Sequence, residues 1–303
     1  MEKTRLQFIE ELEKLMLTAK DKAPGDLLFT YKGVLYPSIF CSPETFQKLE
    51  NFEARKDDLM LIAYPKCGTN WILQIVTEMV CMHANKSPSG DIPVIEFGSA
   101  EKLERLEQQP SPRVITTHLY LDNIPKSFFK TKTKKLVIFR NPKDTAVSYF
   151  HFSNNNPSLP TYSSWDDFFQ HFMSGKVSFG SYFEYMLAWN EHLDDEDVMI
   201  ITFEDMKENL VAGVKQIAEF FGYPLTQDQI QEIANRGTFQ SMKTKSQETY
   251  GQFGQVLFRK GDIGDWKEHF SPAQSEEMDA SFNKYIAGTK LGAKMKYDVY
   301  CKA

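Results

Sequence analysis

A short apolar run that leads into a loop with proline and glycine constrains the fold of this chain more than any other feature. The run, Leu59–Ala63, has the length and composition of a buried parallel strand, and Pro65 and Gly68 end it. A helix is predicted next, because five apolar residues at helical spacing share one face. These residues are Ile72, Ile75, Val76, Met79 and Val80. A buried strand joined by a tight loop to an amphipathic helix indicates an α/β protein.

The loop between this strand and helix has the composition of a phosphate cradle. A helix start offers unpaired backbone N–H groups and the positive end of the helix dipole. Gly68 lets the backbone approach an anion closely, while Lys66 supplies a full charge and Thr69 a hydroxyl group. In the nucleotide-triphosphatase P-loop the lysine instead follows the second glycine. An ordinary strand-to-helix turn with a surface lysine is the alternative interpretation of this loop.

Further β-rich runs at residues 113–118, 135–139 and 198–203 alternate with helical segments. This alternation predicts an α/β, P-loop-like fold of three layers, in which helices flank a central, mostly parallel sheet. No linker is strong enough to divide the chain, so we expect one domain over residues 1–303.

The flanking segments give weaker signals. Residues 1–20 are predicted to form an amphipathic helix, with Leu6, Ile9 and Leu12 on one side. Residues 22–43 are predicted to be a loop, and residues 85–93 to be a polar linker.

Polar side chains follow three successive strands. Lys66, His118 and Arg140 each come directly after or at the end of a β-rich run, and the carboxyl ends of parallel strands meet at one edge of the sheet. Ser148 follows Arg140 closely enough to share an anion with it, and Arg259–Lys267 combines two cations with glycines that could form an anion nest. Each residue alone is compatible with a structural role. Together they indicate two anion pockets and one base, as a 3′,5′-bisphosphorylated nucleotide requires.

Composition excludes several classes of partner. The net charge of −6 does not favour a general surface for nucleic acid or anionic membrane. The four cysteines are too few for a disulfide framework and have no zinc-binding spacing, so we expect no metal and a reducing compartment, the cytoplasm. No signal peptide or apolar span of about 20 residues is evident. The 24 phenylalanines suit an aromatic-lined pocket or, alternatively, an ordinary core.

Six motifs in fixed order carry a family resemblance: Phe52–Asp58, Tyr64–Trp71, Thr117–Leu119, Phe139–Ser148, Glu204–Met206 and Arg259–Lys267. Through them, roughly residues 30 to 300 resemble the cytosolic sulfotransferases, and most closely the family-6, subfamily-B members. These enzymes use PAPS, 3′-phosphoadenosine 5′-phosphosulfate. The resemblance implies transfer of a sulfuryl group from PAPS to a hydroxyl of a small apolar acceptor, such as a phenol, a steroid-like alcohol or a phenolic hormone.

The resemblance also assigns residues to roles. His118 matches the catalytic base and acts with Lys66. The family residues that hold the 5′ side of PAPS match Lys66, Cys67, Gly68, Thr69, Asn70 and Trp71. Those that hold the 3′-phosphate match Arg140, Ser148, Arg259, Lys260 and Gly261. Those that pack on the adenine match Phe203, Thr238, Phe239 and Met242. The acceptor pocket matches Phe40, Phe97, His118 and Phe152, with the N-terminal segment 1–50 contributing.

The chain departs from the family pattern at several positions. Thr116 stands where the family has lysine, and period two predicts that it points toward the ligand with His118. Phe203 replaces a tyrosine and Cys67 a serine. In the dimer motif, Lys267–Glu276, the family's Thr-Val is Ser271-Pro272, and proline lacks a backbone donor. A homodimer is therefore expected to be weakened.

Two other classes of function remain as alternatives. A P-loop kinase would need a Gly-Lys-Ser/Thr sequence and a magnesium site, and the loop at Lys66 lacks that sequence. A weakly active or non-catalytic protein that binds PAPS or a hydrophobic ligand is favoured by Thr116 and Phe203, and disfavoured by Lys66 and His118.

Overall fold

A computed structural model describes residues 5–84 and 93–302, and its centre is a four-stranded parallel sheet. The strands of this sheet are β3 (Leu59–Ala63), β4 (Val114–Thr117), β5 (Lys134–Phe139) and β6 (Val198–Thr202), in the spatial order β4-β3-β5-β6. All three pairings are parallel. The predicted α/β fold with a central parallel sheet flanked by helices is confirmed.

The helices connect and cover the strands. In chain order they are α1 (Arg5–Lys20), α2 (Pro43–Leu49), α3 (Thr69–Ala84), α4 (Ala100–Gln108), α5 (Ser127–Lys130), α6 (Pro142–Asn154), α7 (Trp165–Met173), α8 (Tyr182–Asn190), α9 (Phe203–Glu208), α10 (Leu210–Phe221), α11 (Gln227–Arg236), α12 (Phe239–Tyr250), α13 (Gly254–Leu257), α14 (Pro272–Tyr285), α15 (Lys290–Lys294) and α16 (Tyr297–Cys301). Short 3₁₀ helices lie at Pro24–Asp26, Leu121–Asn123, Gly251–Phe253 and Asp265–Glu268.

The position of β3 fixes where a ligand can bind. Every residue of β3 is buried, as its unbroken apolar sequence predicts. The chain leaves β3 through α3 to β4 on one side, and later enters β5 on the other side of β3. Such a reversal of strand order opens a crevice at the carboxyl ends of the strands. The five predicted apolar residues of α3 are all buried.

The helix predicted over residues 1–20 forms as α1, but two details predicted for the N-terminal region are wrong. The segment predicted to be a loop contains a hairpin of β1 (Leu28–Tyr31) and β2 (Val34–Pro37), which pair in antiparallel fashion. Its turn places Lys32 and Gly33 at φ of 47° and 81°, as a two-residue hairpin loop requires. In α1, Leu6 is 72% exposed, while Phe8 and Leu12 are buried.

Apart from Pro93, the linker predicted over residues 85–93 lies outside the described residues. Within the described ranges, no helix is both long and apolar enough to cross a membrane.

Candidate active site

A cavity of about 500 Å³ opens at the carboxyl ends of the sheet and collects most of the predicted site residues. Its wall includes Lys66, Gly68, Thr69, Asn70, Trp71, Arg140, Ser148, Phe203, Phe239, Met242, Arg259, Lys260 and Gly261 from the predicted nucleotide set. It also includes Phe40, Phe97, His118 and Phe152 from the predicted acceptor set. The residues that follow β3, β4 and β5 therefore meet in one space, as their positions at the strand ends predict.

The loop after β3 has an unusual backbone. Lys66 and Gly68 have φ of 72° and 105°, both in the left-handed region that favours glycine. A β-carbon on Gly68 would also lie 3.1 Å from the Phe203 ring. The loop turns directly into α3, which begins at Thr69. The first N–H groups of this 16-residue helix are therefore adjacent to the cavity.

Lys66 is held in a positively charged environment. Burial, together with the charges of Arg140 and Arg259, lowers its pKa to about 7. Its Nζ atom lies 4.0 Å from the centre of the Phe152 ring, at the boundary between the basic and the aromatic wall. A bound anion would reverse this effect, because an opposite charge favours the ammonium form.

Arg140 is fixed between two loops. Its Nη2 donates to the backbone oxygen of Asp262 at 2.8 Å, and its Nη1 to that of Lys66 at 3.3 Å. The guanidinium lies 4.3 Å from the centre of the Phe203 ring. Its Nε is buried and has no hydrogen-bond partner within residues 5–84 and 93–302. This donor, like the equally unpartnered Thr69 Oγ1, has capacity for a ligand.

The second basic segment already contains its own anions. The carboxylate of Asp265 pairs with both Arg259 and Lys260. The N–H groups of Gly264 and Trp266 donate to the carboxylate of Asp144, at 2.7 and 3.0 Å. The prediction that the glycines of this turn form a nest for an external anion is therefore corrected at Gly264, because Asp144 occupies those donors.

Gly261 needs both its conformation and its missing side chain. It has φ of 70°, and an added β-carbon would overlap the ring of Phe239, the first residue of α12. Glycine at this position lets the basic loop lie directly against an aromatic wall of the cavity.

One ring nitrogen of His118 is unprotonated, and its lone pair faces the cavity. Its Nδ1 lies 2.7 Å from the backbone oxygen of Ala63, and because a carbonyl can only accept, Nδ1 carries the proton. Burial lowers the His118 pKa to about 4; the hydrogen bond to Ala63 opposes this effect, and the charge of Lys66 adds to it. The ring is therefore neutral near pH 7, with Nε2 able to accept a proton.

Glu96 was not predicted from the sequence and supports His118. Its carboxylate is fully buried and accepts from the His118 backbone N–H at 2.7 Å and from Thr117 Oγ1 at 2.8 Å. Burial raises the pKa of this carboxyl to about 7, although the bond from His118 opposes the shift. In the sequence Glu96 simply follows the apolar pair Val94-Ile95, and nothing in that pattern predicts a contact with His118.

The rest of the cavity wall is aromatic and aliphatic. Phe40 and Phe97 stack with ring centres 5.1 Å apart, and the Phe97 ring lies 6.1 Å from His118. Phe8 and Leu12 of α1 also line the cavity. The N-terminal segment thus reaches this wall, as the resemblance implied.

Three predicted positions do not present a side chain to the cavity. Cys67 is fully buried, and its Sγ donates to Tyr182 Oη at 3.7 Å. Thr238 is exposed and caps α12 by accepting from Ser241 N–H. Thr116 is completely buried rather than facing a ligand. Residues 93–95 pair with its backbone at the edge of β4, and His118 lies beyond that strand, where period two no longer holds.

The segment of the dimer motif begins a helix. Ser271 caps α14, Pro272 takes its first position, and Gln274 completes a capping box. The proline that replaces the family residue therefore suits a helix start.

Comparison with known proteins identifies the family. The family model described as "Sulfotransferase domain" matches residues 56–293. Sulfotransferase 6B1 of Pan troglodytes is 52% identical over 297 residues, which cover 98% of this chain and 98% of that protein. Sulfotransferase 6B1 of Danio rerio is 48% identical over 296 residues, which cover 97% and 100%. A crystal structure of mouse sulfotransferase SULT7A1 complexed with PAP is 33% identical, with a TM-score of 0.80, and the match covers 89% of this chain and 98% of that one.

The chain belongs to the sulfotransferase family, and the predictions of family and of a sulfotransferase enzyme are confirmed. The relatives named sulfotransferase 6B1 also agree with the resemblance to the family-6, subfamily-B members.

Proposed function

We propose that the protein transfers the sulfuryl group of PAPS to a hydroxyl of a small apolar acceptor, such as a phenol, a steroid-like alcohol or a phenolic hormone. The observation that carries this proposal is a single cavity in which basic residues and aromatic residues meet at Lys66 and His118. The buried thiols Cys41, Cys67 and Cys301 suit a reducing compartment, so the proposal places the reaction in the cytoplasm.

The nucleotide is proposed to occupy the basic side. The donor set fits it, because Arg140 Nε and Thr69 Oγ1 have no hydrogen-bond partner among the described residues and lie beside a helix start and the charge of Lys66. The mouse relative complexed with PAP supports the same choice. Arg140, Ser148, Arg259 and Lys260 would hold the 3′-phosphate, and Phe203, Phe239 and Met242 would pack on the adenine. When bound, PAPS supplies an electrophilic sulfuryl group and a phosphate leaving group.

The acceptor is proposed to lie against Phe40, Phe97 and Phe152, with its hydroxyl at His118. The neutral imidazole would take the hydroxyl proton at Nε2, while Ala63 holds Nδ1–H. The low pKa of the free ring is raised when anionic nucleotide binds nearby. Lys66 would neutralise charge on the departing phosphate oxygen. In the loose transition state expected by analogy with phosphoryl transfer, positioning and charge neutralisation do most of the work.

Turnover of labelled PAPS with a panel of phenols and alcohols tests the proposal. Sulfated product with any of these acceptors supports it, and the panel identifies the acceptor class. Binding of PAP without turnover of any acceptor would contradict it and would support the alternative of a non-catalytic binding protein.

The pH dependence of activity is expected to show the ionisation of the Lys66 ammonium group. The parameter kcat/KM for PAPS reports ionisations of the free enzyme, in which the Lys66 pKa is about 7. Because the reaction needs the ammonium form, kcat/KM should fall as the pH rises above about 7. On the acid side it should fall only near pH 4, where His118 becomes protonated. The basic limb of kcat should lie at higher pH, since bound phosphate raises the Lys66 pKa.

Steady-state rates between pH 4 and 10 provide the measurement, and Lys66→Arg provides the control. Arginine remains charged throughout this range, so the basic limb of kcat/KM should disappear. An unchanged basic limb in this variant would show that another group causes it.

Arg140→Ala is expected to weaken PAP binding about ten- to hundred-fold, because a charge-assisted contact is worth roughly 1.5–3 kcal/mol. Adenosine 5′-phosphosulfate lacks the 3′-phosphate, so its affinity should barely change. Isothermal titration with both ligands measures the difference. The matched control is Arg236→Ala, which removes an exposed guanidinium on α11 that pairs with Glu232. An equal loss for both ligands would show that Arg140 supports the loops rather than reading the 3′-phosphate.

A further inference from the structure

Two histidines and an aspartate that are far apart in the sequence meet beside the cavity. His151 lies on α6, Asp265 begins the 3₁₀ helix Asp265–Glu268, and His269 follows that helix. The Nε2 atoms of the two imidazoles are 2.9 Å apart. With one carboxylate oxygen of Asp265, they form a group whose ligand atoms all lie within 4.8 Å of one another.

The hydrogen bonds of this cluster leave the Nε2 atom of His269 ready to bind a metal ion. His269 Nδ1 lies 3.2 Å from the backbone oxygen of Asp265, so Nδ1 donates and Nε2 carries the lone pair. His151 Nε2 must then be the donor in the pair, and one proton holds the two rings together. A backbone carbonyl that orients a ligand histidine is a common feature around bound metals.

The spacing of the rings also suits a metal. Two imidazole nitrogens at about 2.0–2.1 Å from a tetrahedral zinc ion lie about 3.3 Å apart. Widening the His151–His269 contact by about half an ångström would reach that distance.

We propose that His151, Asp265 and His269 bind one divalent transition-metal ion of the Zn²⁺ class. Two imidazoles and a carboxylate form a three-ligand set that leaves a position open. Binding of the ion at Nε2 requires His151 to change tautomer, so its Nε2 proton moves through solvent to Nδ1 and both rings stay neutral. This site differs from the expectation of no metal, which rested on the spacing of cysteines and histidines along the chain.

The charges around Asp265 link this site to the nucleotide. Arg259 and Lys260 both pair with the Asp265 carboxylate, and their charges oppose a cation there. If a 3′-phosphate binds these two side chains, as the proposed function holds, it releases Asp265 and lowers the local positive charge. Metal and nucleotide should then each bind more tightly when the other is present, since such coupling is reciprocal.

Isothermal titration of the intact protein with Zn²⁺ tests the site directly. We expect one ion per chain in the wild type, and a loss of affinity of at least about tenfold in His269→Asn, since even outer contacts of metal ligands are worth ten- to hundred-fold. The matched control is His83→Asn, which removes an exposed histidine on α3 and should leave Zn²⁺ binding unchanged. Circular dichroism checks that both variants are folded.

Equal Zn²⁺ affinity in the wild type and in His269→Asn would overturn the site. Absorption of Co²⁺ bound to the wild type gives a second readout, and a spectrum unchanged by His269→Asn would overturn it as well. Titrations of PAP with and without Zn²⁺ test the linkage separately. Equal PAP affinities would overturn the linkage alone, whereas failure of PAP to bind at all would overturn the proposed function and leave the Zn²⁺ titrations to be judged independently.

Discussion

Replacing His118 with alanine is expected to lower kcat for sulfuryl transfer by about 10²–10⁴-fold, the usual contribution of a positioned general base. The reason is that Nε2 is the free lone pair of a neutral ring, while Nδ1–H is held by Ala63. PAP affinity should stay nearly unchanged, because the proposed proton transfer concerns the acceptor. Steady-state rates with a phenolic acceptor, together with titration of PAP, separate the two effects.

The control for His118→Ala is His83→Ala, which removes an exposed imidazole from α3 and should have wild-type kinetics. Wild-type turnover of His118→Ala would show that the reaction does not use this base. A fall in PAP affinity as large as the fall in kcat would instead assign His118 a role in the shape of the cavity.

Lys66→Ala is expected to lower kcat by about 10²–10³-fold, because removal of one group that stabilises developing charge in a shielded site has effects of this size. Alanine at this position has to adopt the same backbone φ of 72° as the lysine does. The strain of the loop is therefore similar in both proteins, and the comparison reports mainly the ammonium group. PAP affinity should fall by a smaller factor than kcat.

The matched control is Lys215→Ala, since Lys215 is an exposed lysine on α10 that pairs with Glu219 one turn away. Single-turnover rates measured with saturating PAPS distinguish loss of chemistry from loss of binding. If kcat is retained and only the affinity for PAPS falls, Lys66 binds the ground state and does not act on the leaving group.

Local patterns predicted the part of the site that depends on strand ends. The unbroken apolar sequence of β3 and the helical spacing in α3 are short-range signals, and both elements form where they were expected. Parallel strands bring their carboxyl ends to one edge, so Lys66, His118 and Arg140 meet without any further information. The hairpin of β1 and β2 was missed because its strands have four residues each and lysine, not asparagine or glycine, starts its turn.

Contacts between distant residues were not predictable in the same way. Glu96 reaches His118 across 22 residues, and Asp144 reaches Gly264 across 120. Neither carboxylate has a periodicity or a spacing that marks it. The pairing of residues 93–95 with the backbone of Thr116 likewise depends on how a connecting segment meets an edge strand. The contact between His151 and His269 was also not predictable from local patterns, since 118 residues separate them.

Phe203 touches the ends of three strands at once. Its own position follows β6, the guanidinium of Arg140 from the end of β5 lies over its ring at 4.3 Å, and the Trp71 ring that follows the β3 loop is 5.1 Å away. A β-carbon on Gly68 would lie 3.1 Å from the same ring, so a side chain there would require the ring to shift. A change in the tilt of this one ring would shift the loop, the arginine and the tryptophan together. The proposed contacts to sulfate, phosphate and adenine are thus mechanically coupled through one side chain.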